Sequence, residues 1–179
     1  MGETYKMTIA GIERELPLCP VNETLDIAAF IMFSDVEITV ASARELLKKL
    51  PEFDVIITAE SKGIPLAYET SRQCGKNYYV ARKSVKVYMT NPISVNVRSI
   101  TTFSVQTLYL SQEDAAQLRG KRVAIIDDVI STGESLRALE ELVKAAGGNI
   151  VARAAVLAEG EAADREDLIF LEKLPVFPH

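Results

Sequence analysis

Residues 123–136 read VAIIDDVISTGESL. The apolar run is that of a strand buried on both faces, yet it ends on two adjacent aspartates and passes into a Ser/Thr/Gly cluster that opens a helix. A buried carboxylate costs several kcal/mol unless something pairs with it. The stretch therefore predicts a strand, a turn and a helix N-terminus arranged around a ligand.

Outward from this stretch, apolar runs alternate with segments of helical period. DVIITAE (54–60) predicts a strand, and GIPLAYETSRQCG a helix stopped by Gly75. YYVARK (78–83), RVAIIDDV (122–129), NIVARAAVLAE (149–159) and LIFLEKLPVF (168–177) predict four more strands. In ESLRALEELVKAAGG (134–148), Leu136, Leu139, Leu142 and Val143 share one helical face and Gly147-Gly148 ends it. Strand-helix alternation with near-continuous apolar strands implies an α/β fold, a parallel twisted sheet covered by helices on both faces. Ligands of such sheets lie beyond the carboxyl ends of the strands, which brings TAESKG, ARKSVK and DDVISTGES toward one crevice.

Two regions break the alternation. Residues 84–111 are rich in Val, Thr and Ser and predict a long hairpin or flexible β-flap. Residues 1–38 hold the alternating stretch MTIAGIEREL, several prolines and the apolar run LDIAAFIMF, and read as a small N-terminal hood lobe before a helix over 39–50. The whole of 1–179 is expected to form one domain.

Hydrophobic residues make up 48% and charged residues 25%, a globular mixture, and no apolar run reaches the roughly 18 residues that span a bilayer. No membrane association is expected. Nothing at the N-terminus resembles a signal peptide, so the expected address is cytoplasmic. Cys19 and Cys74 lie far apart and His179 is the single histidine, which excludes an ordinary zinc site. The net charge of -5 argues against nucleic acid as a partner, whereas an anionic small molecule needs only a few placed cations.

The dinucleotide fingerprint GxGxxG and the P-loop pattern are both absent. VAIIDDVISTGES instead resembles the phosphoribosyl pyrophosphate signature of type I phosphoribosyltransferases: hydrophobic residues, two acids, two apolar positions, a small residue, Thr, Gly, any residue and Ser/Thr. The likeness extends over about residues 40–177 and leans toward the purine branch, the adenine and xanthine enzymes and the purine-operon repressor that shares their fold. It implies that Ser131, Thr132, Gly133, Glu134 and Ser135 cradle a 5′-phosphate at a helix N-terminus. It also implies that Asp127 and Asp128 receive the two ribose hydroxyls and stabilise positive charge at the anomeric carbon.

TAESKG resembles the family's pyrophosphate loop, with Glu60, Ser61, Lys62 and Gly63, where a cis non-proline peptide is often found. Lys62 stands where the adenine enzymes have arginine. Arg82, Lys83 and Lys86 of ARKSVK correspond to the basic strand end that meets pyrophosphate, and Arg98 in the flap is a further cation able to close over it. The resemblance implies Mg²⁺ as cofactor, held mainly by the donor and water rather than by a direct protein ligand, and a homodimer. The acidic lid residue of the adenine enzymes has no counterpart in VRSITTFSVQTLYL.

The implied reaction moves a 5-phosphoribosyl group from phosphoribosyl pyrophosphate to a purine nitrogen. Xanthine-type relatives carry a lysine near the end of the strand AAVLAE, where this chain has Glu159. A carboxylate accepts hydrogen bonds and repels an oxo group, so an amino purine, adenine, is favoured. Phe33, with Ile31, is expected to form part of the hood over the base. A 6-oxopurine enzyme and a regulator that senses the donor without catalysis remain the alternatives.

Overall fold

In a computed structural model, residues 3–98 and 105–179 are described. In chain order the elements are β1 (Thr4–Ile9), β2 (Ile12–Asn22), β3 (Leu25–Ala28), α1 (Val36–Lys49), β4 (Val55–Ala59), α2 (Ile64–Cys74), β5 (Tyr78–Ala81), β6 (Ile93–Arg98), β7 (Val105–Leu110), α3 (Gln112–Leu118), β8 (Arg122–Ile130), α4 (Glu134–Ala145), β9 (Asn149–Glu159), a 3-10 turn (Gly160–Asp164), β10 (Ile169–Leu174) and β11 (Val176–Pro178).

The central sheet has the order β10-β9-β8-β4-β5, and every neighbouring pair is parallel. Alternate residues of its strands enter two separate cores. Ile57, Val123 and Ile125 pack with Leu139 and Leu142 of α4 and with Val97 and Leu108 of the β6–β7 hairpin. Ile56, Ala124 and Ile126 pack with Ile38 and Leu46 of α1 and Leu66 of α2. Both faces of the sheet are thus covered, which is why its strands read as unbroken apolar runs. Between β4 and β8 the order reverses: the chain leaves β4 for one edge and β8 for the other, opening a crevice at their carboxyl ends.

The strand expected over 168–177 divides at Pro175, which has no N–H to continue a ladder. β10 completes the central sheet, whereas β11 pairs antiparallel with β3 and closes a second sheet, β1-β2-β3-β11. A Tyr5–Phe177 edge-to-face contact at 5.1 Å adds to this junction. Helix α1 starts three residues before the expected 39, because Asp35 caps it by accepting from the Ile38 N–H and is itself held by Arg14 at 2.8 Å. The β6–β7 hairpin lies inside the region expected to form a flap, part of which, 99–104, falls outside the described residues. Helix α3 follows it, capped by Ser111 Oγ accepting from Asp114 N–H at 3.1 Å, a short capped helix that the sequence reading did not foresee.

Candidate active site

A cavity of about 360 Å³ opens at the reversal point. Its walls are the end of β4 with Glu60, Ser61 and Lys62; Lys83 beyond β5; residues 127–133, Ser135 and Leu136 from β8 into α4; Glu159 at the end of β9; and residues 27–31 of the hood. The segments TAESKG, ARKSVK and DDVISTGES therefore meet, because each spans the carboxyl end of a parallel strand.

Asp128 is 4% exposed, and its Oδ2 has no hydrogen-bond partner. Its backbone N–H donates to Asp127 Oδ1 at 2.8 Å. Burial, followed by the neighbouring Asp128, pushes the Asp127 carboxyl well above the usual carboxylate range, and the charge of Lys62 opposes that only in part. Two acids held this close, one with an orphaned buried oxygen, are a costly arrangement for the chain alone. Hydroxyl donors entering from the cavity would satisfy them.

Ser131, Thr132, Gly133 and Ser135 line the next part of the wall; the N-cap of α4 is Gly133, which has no side chain, and Thr132 Oγ1 accepts a long 3.5 Å hydrogen bond from the Glu134 N–H. The helix dipole at this end favours an anion. Gly133 has φ +80, a left-handed conformation that favours glycine. Glu134 begins α4 outside the cavity wall. Ser135 Oγ accepts a 3.3 Å hydrogen bond from Gln106 of β7, which ties this loop to the hairpin.

On the opposite side, the Glu60–Ser61 peptide is cis. A Cβ on Gly63 would stand 2.5 Å from Thr58 Oγ1 and 2.9 Å from Asp127 Oδ1, so glycine here lets the β4 turn press against the end of β8. Glu60 faces the basic strand end rather than an anion. It accepts from Arg82 Nε at 2.9 Å and from the Lys83 N–H at 2.7 Å, and Lys86 Nζ stands 3.9 Å away. The Lys83 N–H, then Arg82, hold the Glu60 carboxyl below its usual range. Arg82 also donates to the Tyr88 hydroxyl. Of the cations expected to meet pyrophosphate, Lys62 and Lys83 reach the cavity, whereas Arg82 and Lys86 stand behind it, gathered on Glu60.

Glu159 lies in the wall, and burial raises its carboxyl pKa while Lys62 opposes the rise. Phe33 is 47% exposed and outside the cavity wall; the hood presents residues 27–31 instead, so of the two apolar residues expected there Ile31 is the one that lines the cavity. Gln106 and Arg165, whose guanidinium lies against Gly133, had no signal in the sequence, because each reaches the site from a distant segment. Among the described residues no cluster of three or more His, Cys, Asp or Glu side chains could cage a metal ion, and no helix is long and apolar enough to cross a membrane.

Residues 34–174 match the family model described as the phosphoribosyl transferase domain. The purine biosynthesis transcriptional repressor of Bacillus subtilis is 33% identical over 113 residues, covering 63% of this chain and 39% of the repressor. The adenine phosphoribosyltransferase of Thermotoga petrophila is 34% identical over 104 residues, 58% of each chain. The chain spans about half the length of the curated relatives it matches. Among solved structures, adenine phosphoribosyltransferase from Thermoanaerobacter pseudethanolicus superimposes with a TM-score of 0.69 at 20% identity, covering 96% of this chain and 95% of that one.

Proposed function

The chain belongs to the phosphoribosyl transferase domain family, and on that premise we propose that it transfers a 5-phosphoribosyl group from phosphoribosyl pyrophosphate to a purine, with adenine as the preferred base and AMP and pyrophosphate as products. The observation that carries this reading is Asp128, buried with an orphaned Oδ2 beside a helix N-terminus whose N-cap is a glycine. Ribose hydroxyls complete Asp127 and Asp128, while residues 131–135 receive the 5′-phosphate.

In the reaction the bond from the anomeric carbon to the pyrophosphate oxygen breaks, a bond from a ring nitrogen forms, and the base loses a proton. The two aspartates favour the positive charge that develops at the anomeric carbon. Lys62 and Lys83 receive the leaving pyrophosphate, with Arg82 and Lys86 in reserve behind Glu60. Mg²⁺, when bound with the donor, neutralises the charge on pyrophosphate. Two carboxylates beside a phosphate cradle suit an ion that keeps its waters and substrate oxygens, and no side chain is assigned as its direct ligand. The hood segment 27–31 covers the base and keeps water out.

Glu159 reads the base by accepting from an exocyclic amino group, which disfavours a 6-oxopurine. Release of pyrophosphate, measured with each purine in turn, tests the reading. Adenine should be the best substrate, and its apparent affinity should fall as pH drops through the raised pKa of Glu159, when protonation removes the acceptor. Turnover of hypoxanthine, guanine or xanthine alone would move the assignment to the 6-oxopurine class.

A second reading rests on the similarity to the Bacillus subtilis repressor: the domain senses the donor and regulates without catalysis. Tight binding of phosphoribosyl pyrophosphate with no turnover of any base would select it. A homodimer in the cytoplasm, binding neither nucleic acid nor membrane, is the setting proposed for the enzyme.

A further inference from the structure

The geometry points to Arg165 as a further residue of the 5′-phosphate subsite, a cation fixed against the phosphate loop from the far side of β9. This deepens the reading above and rests on it. Arg165 follows the 3-10 turn after β9, thirty-odd residues beyond the loop it touches. Its Nη1 lies 2.8 Å from the point where a Cβ on Gly133 would stand, so the guanidinium occupies the space that any other residue at 133 would fill.

The rest of that guanidinium is already committed. Nε donates to Asp167 Oδ1 at 2.9 Å and Nη2 to Asp167 Oδ2 at 2.8 Å, a fork-to-fork pair that fixes the plane of the group. Asp167 Oδ2 is also 3.9 Å from Arg153 Nε, and Arg153 pairs with Glu140 of α4. The chain of charges thus runs back to the helix whose N-terminus forms the cradle. Among the described residues Nη1 donates to no acceptor. The guanidinium is aimed by one edge and left unspent on the other, beside the loop where two negative charges of a phosphate monoester would arrive.

A brace that only supported the loop would be served by any side chain filling this space. A phosphate residue needs the charge. Calorimetry with ribose 5-phosphate, which carries the 5′-phosphate but no pyrophosphate, separates the two. Arg165→Gln should weaken ribose 5-phosphate about tenfold or more, as loss of a charged hydrogen-bond donor does, and leave inorganic pyrophosphate unchanged. Arg165→Lys should recover part of the loss. Equal affinity of wild type and Arg165→Gln for ribose 5-phosphate, or equal weakening toward both probes, overturns the assignment. Failure of the wild type to bind ribose 5-phosphate at all would instead overturn the reading on which it rests. Should Arg165→Gln not fold, the side-chain nitrogen resonances of Arg165 in the wild type decide: they should shift with ribose 5-phosphate and stay in place with pyrophosphate, and no shift with either contradicts the proposal.

Discussion

Glu60 and Asp128 are both carboxylates at the ends of adjacent parallel strands and both line one cavity, but their surroundings are opposite. Glu60 receives a guanidinium, a backbone N–H and a nearby ammonium, which hold it ionised. Asp128 is nearly sealed from water, has an oxygen with no partner, and lies beside Asp127, whose own pKa is driven upward. An acid whose partners are supplied by the fold is scaffold; an acid whose partners are missing is where a ligand completes the structure. The two walls of the cavity differ in this way throughout, one compensated in advance and one waiting.

The largest effect should come from Asp128→Asn, which leaves the shape of the wall but removes charge from the waiting side. Turnover should fall by about 10²–10³-fold, the scale of losing one electrostatic contact to a developing charge. Circular dichroism should remain native. An unchanged rate would erase the distinction between the two acids.

Gly63→Ala tests the seam between the walls. Its methyl group would press on Thr58 Oγ1 and Asp127 Oδ1, and a shift of Asp127 by about 1 Å should cost about 10²-fold in activity. Steady-state kinetics at normal substrate affinity and rate would show that the two loops are not held in register by this contact.

A smaller effect, in melting temperature, sharpens the comparison through its sign. The pKa of Glu60 is depressed in the fold, so its charge contributes stability above the unfolded carboxylate pKa that is lost as pH falls through the folded value. The pKa of Asp127 is raised, so its contribution is present below the unfolded pKa and lost as pH rises through the folded value. At neutral pH, Glu60→Gln should therefore lower the melting temperature by a few degrees, on the order of 1 kcal/mol, and Asp127→Asn should raise it. Shifts of the same sign would contradict the contrast.

The waiting wall was legible in the sequence because it is local: the aspartates, the hydroxyls and Gly133 lie within nine consecutive residues, each with a reason to stand where it does. The sheet was legible for a similar reason, since strands buried on both faces read as unbroken apolar runs. The compensated wall was legible in its segments, TAESKG and ARKSVK, but not in how their charges pair. Glu60 follows the end of β4, and nothing in TAESKG reveals that its partners lie 22 and 23 residues on, in Arg82 and Lys83. The break at Pro175 shows the same limit. A proline in LIFLEKLPVF marks an interruption, but only the hood sheet shows where β11 goes. Phe33 and Ile31 are both apolar residues of one run, and which of them faces the cavity depends on how the hood is tethered to the core.

The central claim is that sugar hydroxyls supply what Asp127 and Asp128 lack. It is tested most directly by comparing, in calorimetry, the affinities of ribose 5-phosphate and 2-deoxyribose 5-phosphate for the wild type and for Asp128→Asn, so that the coupling between hydroxyl and carboxylate is read alone. Loss of the 2-hydroxyl should weaken binding to the wild type about tenfold or more and matter far less to the variant. Equal binding of the two sugars by the wild-type protein would contradict the account.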